Sequence, residues 1–167
     1  MTERLLKFSS DANLDFDVVS EDKKPNYKNP WHVLVVDDDQ AVHDVTRLIL
    51  SDFHFNNRPM QLKFAYSAGE AKEFLVQANE FSVILLDVVM ETDHAGLDLV
   101  TYIRNVLKNQ LLRIILRTGQ PGQAPELNLM VEYDINDYQA KTELTAEKMR
   151  SCMTSALQSF KDINTIR

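Results

Sequence analysis

Asp37 and Asp38 follow the apolar run Val33-Leu34-Val35-Val36, and Asp87 follows Val83-Ile84-Leu85-Leu86. Thr118 closes the run around Ile114-Ile115-Leu116, and Lys141 follows Asp137-Tyr138-Gln139-Ala140. Carboxylates held close together repel, and protonation or a divalent cation relieves that repulsion. Mg²⁺ suits such a set, because it takes oxygen ligands, uses few protein carboxylates and keeps waters that phosphate oxygens can replace. A carboxylate can also act as a nucleophile, and a cation would screen its repulsion from an incoming phosphoryl group. A lysine would add a charge-assisted contact to a phosphoryl oxygen, and a threonine hydroxyl a hydrogen bond. That bond forms only when the phosphate arrives, so a local charge event can become a switch.

The residues can meet only if the elements bring them together. The run from Val33 reads as a first strand, Leu62-Lys63-Phe64-Ala65-Tyr66 as a second and Val83–Leu86 as a third. Ile114–Leu116 reads as a fourth strand and Asp137–Ala140 as a weaker fifth. Between them lie helical patterns: Val42, Val45, Leu48 and Ile49 on one stripe, then Ala68–Gln77, which Ser67 and Glu70 open with capping-box spacing. Leu97, Val100, Ile103, Arg104 and Leu107 mark a third helix, and Leu127–Glu132 a short fourth after a loop containing Gly119, Pro121, Gly122 and Pro125. A last helix opens at Thr145 and carries Met149, Cys152, Met153, Ala156 and Phe160. Strands alternating with helices predict an α/β fold, a doubly wound five-stranded parallel sheet with helices on both faces. All the polar strand ends then lie along one sheet edge, where ligands bind near the topological switch point.

Taken singly, each residue has an ordinary reading: aspartate is common in turns, and Thr118 or Tyr138 could simply end or edge a strand. The joint pattern decides for a site. Asp39 reads as the cap of the first helix, and Arg117 points away from Thr118 by strand alternation and reads as a salt-bridged or solvent-exposed residue. Glu91 and Asp93 read as solvated loop residues. His32, His43, His54, His94 and Cys152 lack metal-ligand spacing and read as structural.

Val35-Val36-Asp37-Asp38, Leu85-Leu86-Asp87-Val88-Val89-Met90, Leu116-Arg117-Thr118-Gly119 and Asp137-Tyr138-Gln139-Ala140-Lys141 resemble the receiver domains of two-component systems. The resemblance runs over about residues 32–162 and implies the flavodoxin-like receiver fold. It implies that Asp87 is the phosphoacceptor, that Asp37, Asp38, Asp87 and the carbonyl of Val89 hold Mg²⁺, and that Thr118 and Lys141 contact the phosphoryl group. It also implies that Tyr138 is the aromatic that reorients with Thr118. The implied partner is a sensor histidine kinase or phosphotransfer protein. A homodimer through the face of the fourth helix, fifth strand and fifth helix is a further implication. Glu91 stands where receivers often have proline, the Asp87–Gly96 loop is one residue longer than usual, and Thr142 replaces a common proline. Val88–Thr92, Arg117–Gln123 and Tyr133–Tyr138 are similar to a subgroup in which the receiver precedes a domain of unknown function and a module for cyclic di-GMP turnover.

The 167 residues suffice for one buried core. A net charge of −7 argues against a nucleic-acid surface. Cys152 is the sole cysteine, and neither a signal-peptide core nor a membrane-length apolar run is present, so the chain reads as cytoplasmic. Residues 1–30 read as a loosely ordered leader or an arm packed through Leu14, Phe16, Val18 and Val19. Residues 31–163 read as the receiver, and 164–167 as a tail truncated before an output domain. The expected function is Mg²⁺-dependent acceptance of a phosphoryl group on Asp87, without enzymatic action on a separate substrate. The alternative is a non-phosphorylated pseudo-receiver. An aspartyl-phosphate phosphatase or mutase is disfavoured, because such enzymes carry a second aspartate where this chain has Val89.

Overall fold

The computed structural model describes residues 29–78, 80–119 and 127–166. The expectations for residues 1–28 and for the glycine- and proline-rich segment 120–126 lie outside those residues. The elements in chain order are β1 (Trp31–Val36), α1 (Gln40–Leu50), β2 (His54–Phe55), β3 (Arg58–Ala65), α2 (Ala68–Gln77) and β4 (Phe81–Asp87). They continue with α3 (Ala95–Thr101, running on as a π-helical turn through Val106), β5 (Arg113–Thr118), α4 (Leu127–Glu132), β6 (Ile135–Ala140) and α5 (Ala146–Ile166).

The sheet order is β2-β3-β1-β4-β5-β6. Its last five strands are parallel, as the apolar runs predict; β2 is added antiparallel at one edge. That extra edge is a two-residue strand, turned back through Asn56 and Asn57, which hold positive φ of 51° and 58°. Asparagine tolerates this backbone region, and paired positive φ matches the twist of a tight hairpin. β1 lies between β3 and β4, so the winding direction reverses beside it, and the polar edge opens at that reversal.

Strand alternation divides the core into two layers. Leu34, Val36, Ile84, Leu86, Ile114 and Leu116 pack under α2 and α3. Val33, Val35, Val83, Leu85 and Ile115 pack under α1 and α5. Burial on both sides explains the unbroken apolar runs of β1, β4 and β5.

The helix termini follow their capping residues. Asp39 Oδ1 accepts from Ala41 N at 2.9 Å, Ser67 Oγ from Glu70 N at 3.0 Å, and Thr145 Oγ1 from Lys148 N at 3.2 Å. The second half of the expected box at α2 is displaced by one residue: Glu70 takes the N–H of Tyr66 at 3.3 Å.

The buried face of α1 corrects the expected stripe. Val45 and Leu48 are exposed, while His43, Thr46 and Leu50 are buried. The cause is the polar edge beneath the helix. His43 Nε2 donates to the Asp37 carbonyl at 2.8 Å, and Thr46 Oγ1 accepts from Arg117 Nη1 at 3.1 Å. Buried polar groups require such partners, so this helix turns polar side chains inward.

Candidate functional site

The structure brings the strand-end residues together. Asp37 follows β1, Asp87 ends β4, Thr118 ends the adjoining β5, and Lys141 follows β6. Asp37 and Asp87 are almost fully buried, whereas Asp38 is exposed. One carboxylate oxygen from each of the three aspartates lies within 4.8 Å of the others. Lys141 Nζ reaches across this group, 2.7 Å from Asp37 Oδ2 and 3.1 Å from Asp87 Oδ2. Asp37 is oriented by its own turn, since its Oδ1 accepts from Asp39 N at 2.9 Å and leaves Oδ2 toward the lysine.

Burial, and next the Asp37 carboxylate, push the Asp87 carboxyl above the ordinary aspartate range; the charge and hydrogen bond of Lys141 oppose the shift. Burial pulls Lys141 downward, but its hydrogen bond to Asp37 and the charges of Asp37 and Asp87 outweigh burial and raise it. An acidic, partly desolvated cluster with one lysine has the donor set of a hard divalent cation. The three carboxylates fit Mg²⁺ in type and in mutual spacing.

The loop after β4 closes tightly on the strand that carries Asp87. Gly96 N donates to the Val88 carbonyl at 2.9 Å. A Cβ on Gly96 would overlap the Asp87 carbonyl oxygen and lie 2.7 Å from Val88 Cα, so only glycine fits this approach. Val89, two residues beyond Asp87, is partly buried in the same loop. Thr118 is buried and shares a sheet face with Tyr138, whose register partner is Leu116. The Tyr138 ring packs on the α2–α3 core layer, and its buried hydroxyl has no hydrogen-bond partner among the described residues.

Residues 33–153 match the response regulator receiver domain family. The chain belongs to that family. A curated relative is the 3′3′-cGAMP-specific phosphodiesterase 2 of Vibrio cholerae serotype O1, 49% identical over 136 residues. The match covers 81% of this chain and 26% of that protein, so this chain spans about a quarter of its relative. Among solved structures, a CheY-like receiver domain protein of Methanospirillum hungatei JF-1 superposes with a TM-score of 0.64 at 27% identity. It covers 78% of this chain and 97% of that one. The receiver domain of an HD domain-containing protein of Pseudomonas fluorescens Pf-5 gives 0.66 at 21% identity, over 80% and 99% of the two chains, and speaks to the fold alone.

Two features of this receiver's site were not foreseen. Glu91, expected in solvent, accepts from Ala68 N with both carboxylate oxygens, at 2.9 and 3.1 Å. It thereby ties the loop after Asp87 to the start of α2, where a negative charge is favoured. Arg117, expected in a salt bridge or in solvent, is 1% exposed and bonds Thr46 instead. Burial lowers its guanidinium, and the nearby Asp37 and Asp87 charges act to hold it up. Its register partner is Asp87, which places both side chains on one sheet face. His43, read as structural, is packed between Phe64 and Tyr66, with ring centroids at 4.9 and 4.6 Å. Only strand alternation hinted at the side of Arg117; the Glu91 cap joins residues 23 apart in sequence and leaves no local signal.

Proposed function

We propose that this receiver of two-component signalling takes a phosphoryl group onto Asp87 from the phosphohistidine of a kinase or phosphotransfer protein. The observation that carries the reading is the Lys141 ammonium bridging Asp37 and Asp87 inside a three-carboxylate cluster. An Asp87 carboxylate oxygen attacks phosphorus, the P–N bond to the donor imidazole breaks, and that ring nitrogen keeps the electron pair and takes up a proton. Mg²⁺, held by Asp37, Asp38, Asp87 and the Val89 carbonyl, would neutralise phosphoryl charge during transfer. Lys141 then exchanges its carboxylate contact for a phosphoryl oxygen, and the Thr118 hydroxyl donates to another. Thr118 drawn toward Asp87 frees space on the face it shares with Tyr138, and the unbonded tyrosine hydroxyl makes that ring ready to follow.

The readout surface is the α4–β6–α5 face. Leu127 and Val131 on α4 are about three-quarters exposed, and α4 buries no residue among those described. Burying those side chains against a second copy or a neighbouring domain is the consequence we expect of phosphorylation. Among the described residues, no helix is long and apolar enough to cross a membrane, which suits a cytoplasmic receiver. The coverage of the phosphodiesterase relative suits a receiver whose enzymatic output lies beyond the matched region.

Incubation with acetyl phosphate and Mg²⁺ followed by intact mass measurement tests the assignment. One added phosphoryl group is expected on the native chain and none on Asp87→Asn or in excess EDTA. A native chain that gains no mass and binds no beryllium fluoride would be a pseudo-receiver.

A further inference from the structure

Arg117 is a buried charge at the site's edge that the phosphoacceptor reading leaves without a role. The side chain is 1% exposed, and its Nε and Nη2 find no hydrogen-bond partner among the described residues. Among the described residues the guanidinium's one hydrogen bond runs from Nη1 to Thr46 Oγ1 at 3.1 Å, and the Thr46 hydroxyl donates in turn to the Val42 carbonyl at 2.7 Å. The guanidinium is thus anchored to α1 and kept from a direct ion pair with the acids. Because Asp87 is its register partner across neighbouring strands, the two stems stand side by side, with backbones roughly 4.8 Å apart. Val88 N donates to the Arg117 carbonyl at 3.1 Å, so the two strand ends are locked together.

A guanidinium stays protonated when buried, and leaving one in a core without compensation is costly. Apolar strand residues would fill the same layer, as Ile115 does two positions earlier. The compensation at hand is the acidic cluster, whose Asp37 and Asp87 charges act on Arg117 through space.

We propose that Arg117 is a second fixed cation of the site and a positioning residue that sets its charge balance. It weakens divalent-cation binding in the resting state and favours the more negative, phosphoryl-loaded state. With Lys141, it sets two cations against three carboxylates. Addition of Mg²⁺ then leaves the resting site net positive, and a phosphoryl group, with one more negative charge than the carboxylate it replaces, brings it to neutrality. Without Arg117 the resting Mg²⁺-loaded site is neutral and the phosphoryl-loaded one carries an uncompensated negative charge. The proposal rests on the phosphoacceptor reading above.

Calorimetric Mg²⁺ titrations of the native chain and of Arg117→Met, Arg117→Gln and Arg117→Lys test it, each with an unfolding curve to establish folding. The neutral variants should bind Mg²⁺ more tightly by on the order of tenfold, and the lysine variant should stay within about twofold of native. At saturating Mg²⁺, beryllium fluoride should bind the neutral variants more weakly than it binds the native chain. A purely structural arginine would alter the unfolding curve and leave both constants unchanged. Unchanged constants in a folded neutral variant, or a lysine variant behaving like methionine, overturn the proposal. Gln can still donate to Thr46, so its variant carries the test if the methionine variant does not fold. Should neither fold, the Nε–H resonance of Arg117 in the native chain must move on Mg²⁺ addition, and an unmoved resonance overturns the idea. A native chain that binds neither Mg²⁺ nor beryllium fluoride would instead sink the phosphoacceptor reading itself.

Discussion

At the scale of single residues, the site stores electrostatic tension that a substitution can release. Asp87 ionises against burial and against Asp37, so its carboxyl lies above its ordinary 3.8. A group raised in the folded state contributes stability that is fully present below its unfolded value and is lost as pH rises through the folded one. Asp87→Asn removes that loss. In metal-free buffer at pH 7 it should melt above the native chain, by about 2–4 °C for each kcal/mol of that loss at this size. The difference should vanish below about pH 4, near the unfolded carboxyl value; melting curves at pH 7 and pH 3.5 distinguish this from a pH-independent packing gain. Burial acts on Cys152 in the same direction. Desolvation and a hydrogen bond from Sγ to Asp137 Oδ2 at 3.1 Å push its thiol up to about 12. Iodoacetamide at pH 8 should modify it at least tenfold more slowly than a free cysteine, since only the thiolate reacts. Asp137→Asn should speed the reaction, as mass spectrometry can follow. The convergence of these side chains was legible at this scale because the acids, hydroxyl and lysine sit at ends of recognisable apolar runs. Arg117 and Glu91 were not, because their partners Thr46 and Ala68 are distant in sequence and carry no matching chemical signature.

At the scale of elements, the strands were readable because burial on both faces leaves an unbroken apolar run within each of β1, β4 and β5. The caps at Asp39, Ser67 and Thr145 were readable because a short polar side chain before a helix has one main use. What escaped were features that tertiary contact decides. The edge strand β2 is two residues long, too short for any period, although Asn56-Asn57 is a turn signal. The inward face of α1 follows from Arg117 and the Asp37 carbonyl, so apolar periodicity pointed to Val45 and Leu48 instead. The end of α3 is held by Arg104, which forks to the carbonyls of Tyr133 at 2.7 Å, Asn109 at 2.8 Å and Asp134 at 2.9 Å. That side chain shares a helical stripe with leucines, yet its work is to tie the helix end to the start of β6. The loop between β4 and α3 makes the sharpest prediction at this scale. Gly96→Ala must push the loop off the Asp87 backbone, and overpacking of this kind costs about 1–3 kcal/mol. Urea unfolding should show that loss, whereas Gly69→Ala, whose nearest contact is Ser67 Oγ at 3.8 Å, should show none.

At the scale of the whole molecule, ligand binding and folding are linked through the sheet edge. The three aspartates reach one place only when β1 and β4 are paired, and they separate when the chain unfolds. Mg²⁺ that binds the folded cluster and not the unfolded chain must therefore raise stability, by about 2.7 kcal/mol at a hundred times its dissociation constant. At this chain length that corresponds to roughly 5–11 °C in Tm. Asp38→Asn is the informative control, because Asp38 is the exposed member of the cluster and forms neither of the Lys141 ion pairs. Its loss should leave metal-free stability nearly native and remove most of the Mg²⁺-dependent rise. Lys141→Met separates two further causes. That variant loses the cation that balances Asp37 and Asp87, so it should be less stable without metal and gain more from Mg²⁺ than the native chain does. Thermal scans of all three chains with and without Mg²⁺ test this together. Equal Mg²⁺-induced shifts in the native chain and Asp38→Asn would mean that the cation stabilises the fold somewhere other than at these strand ends.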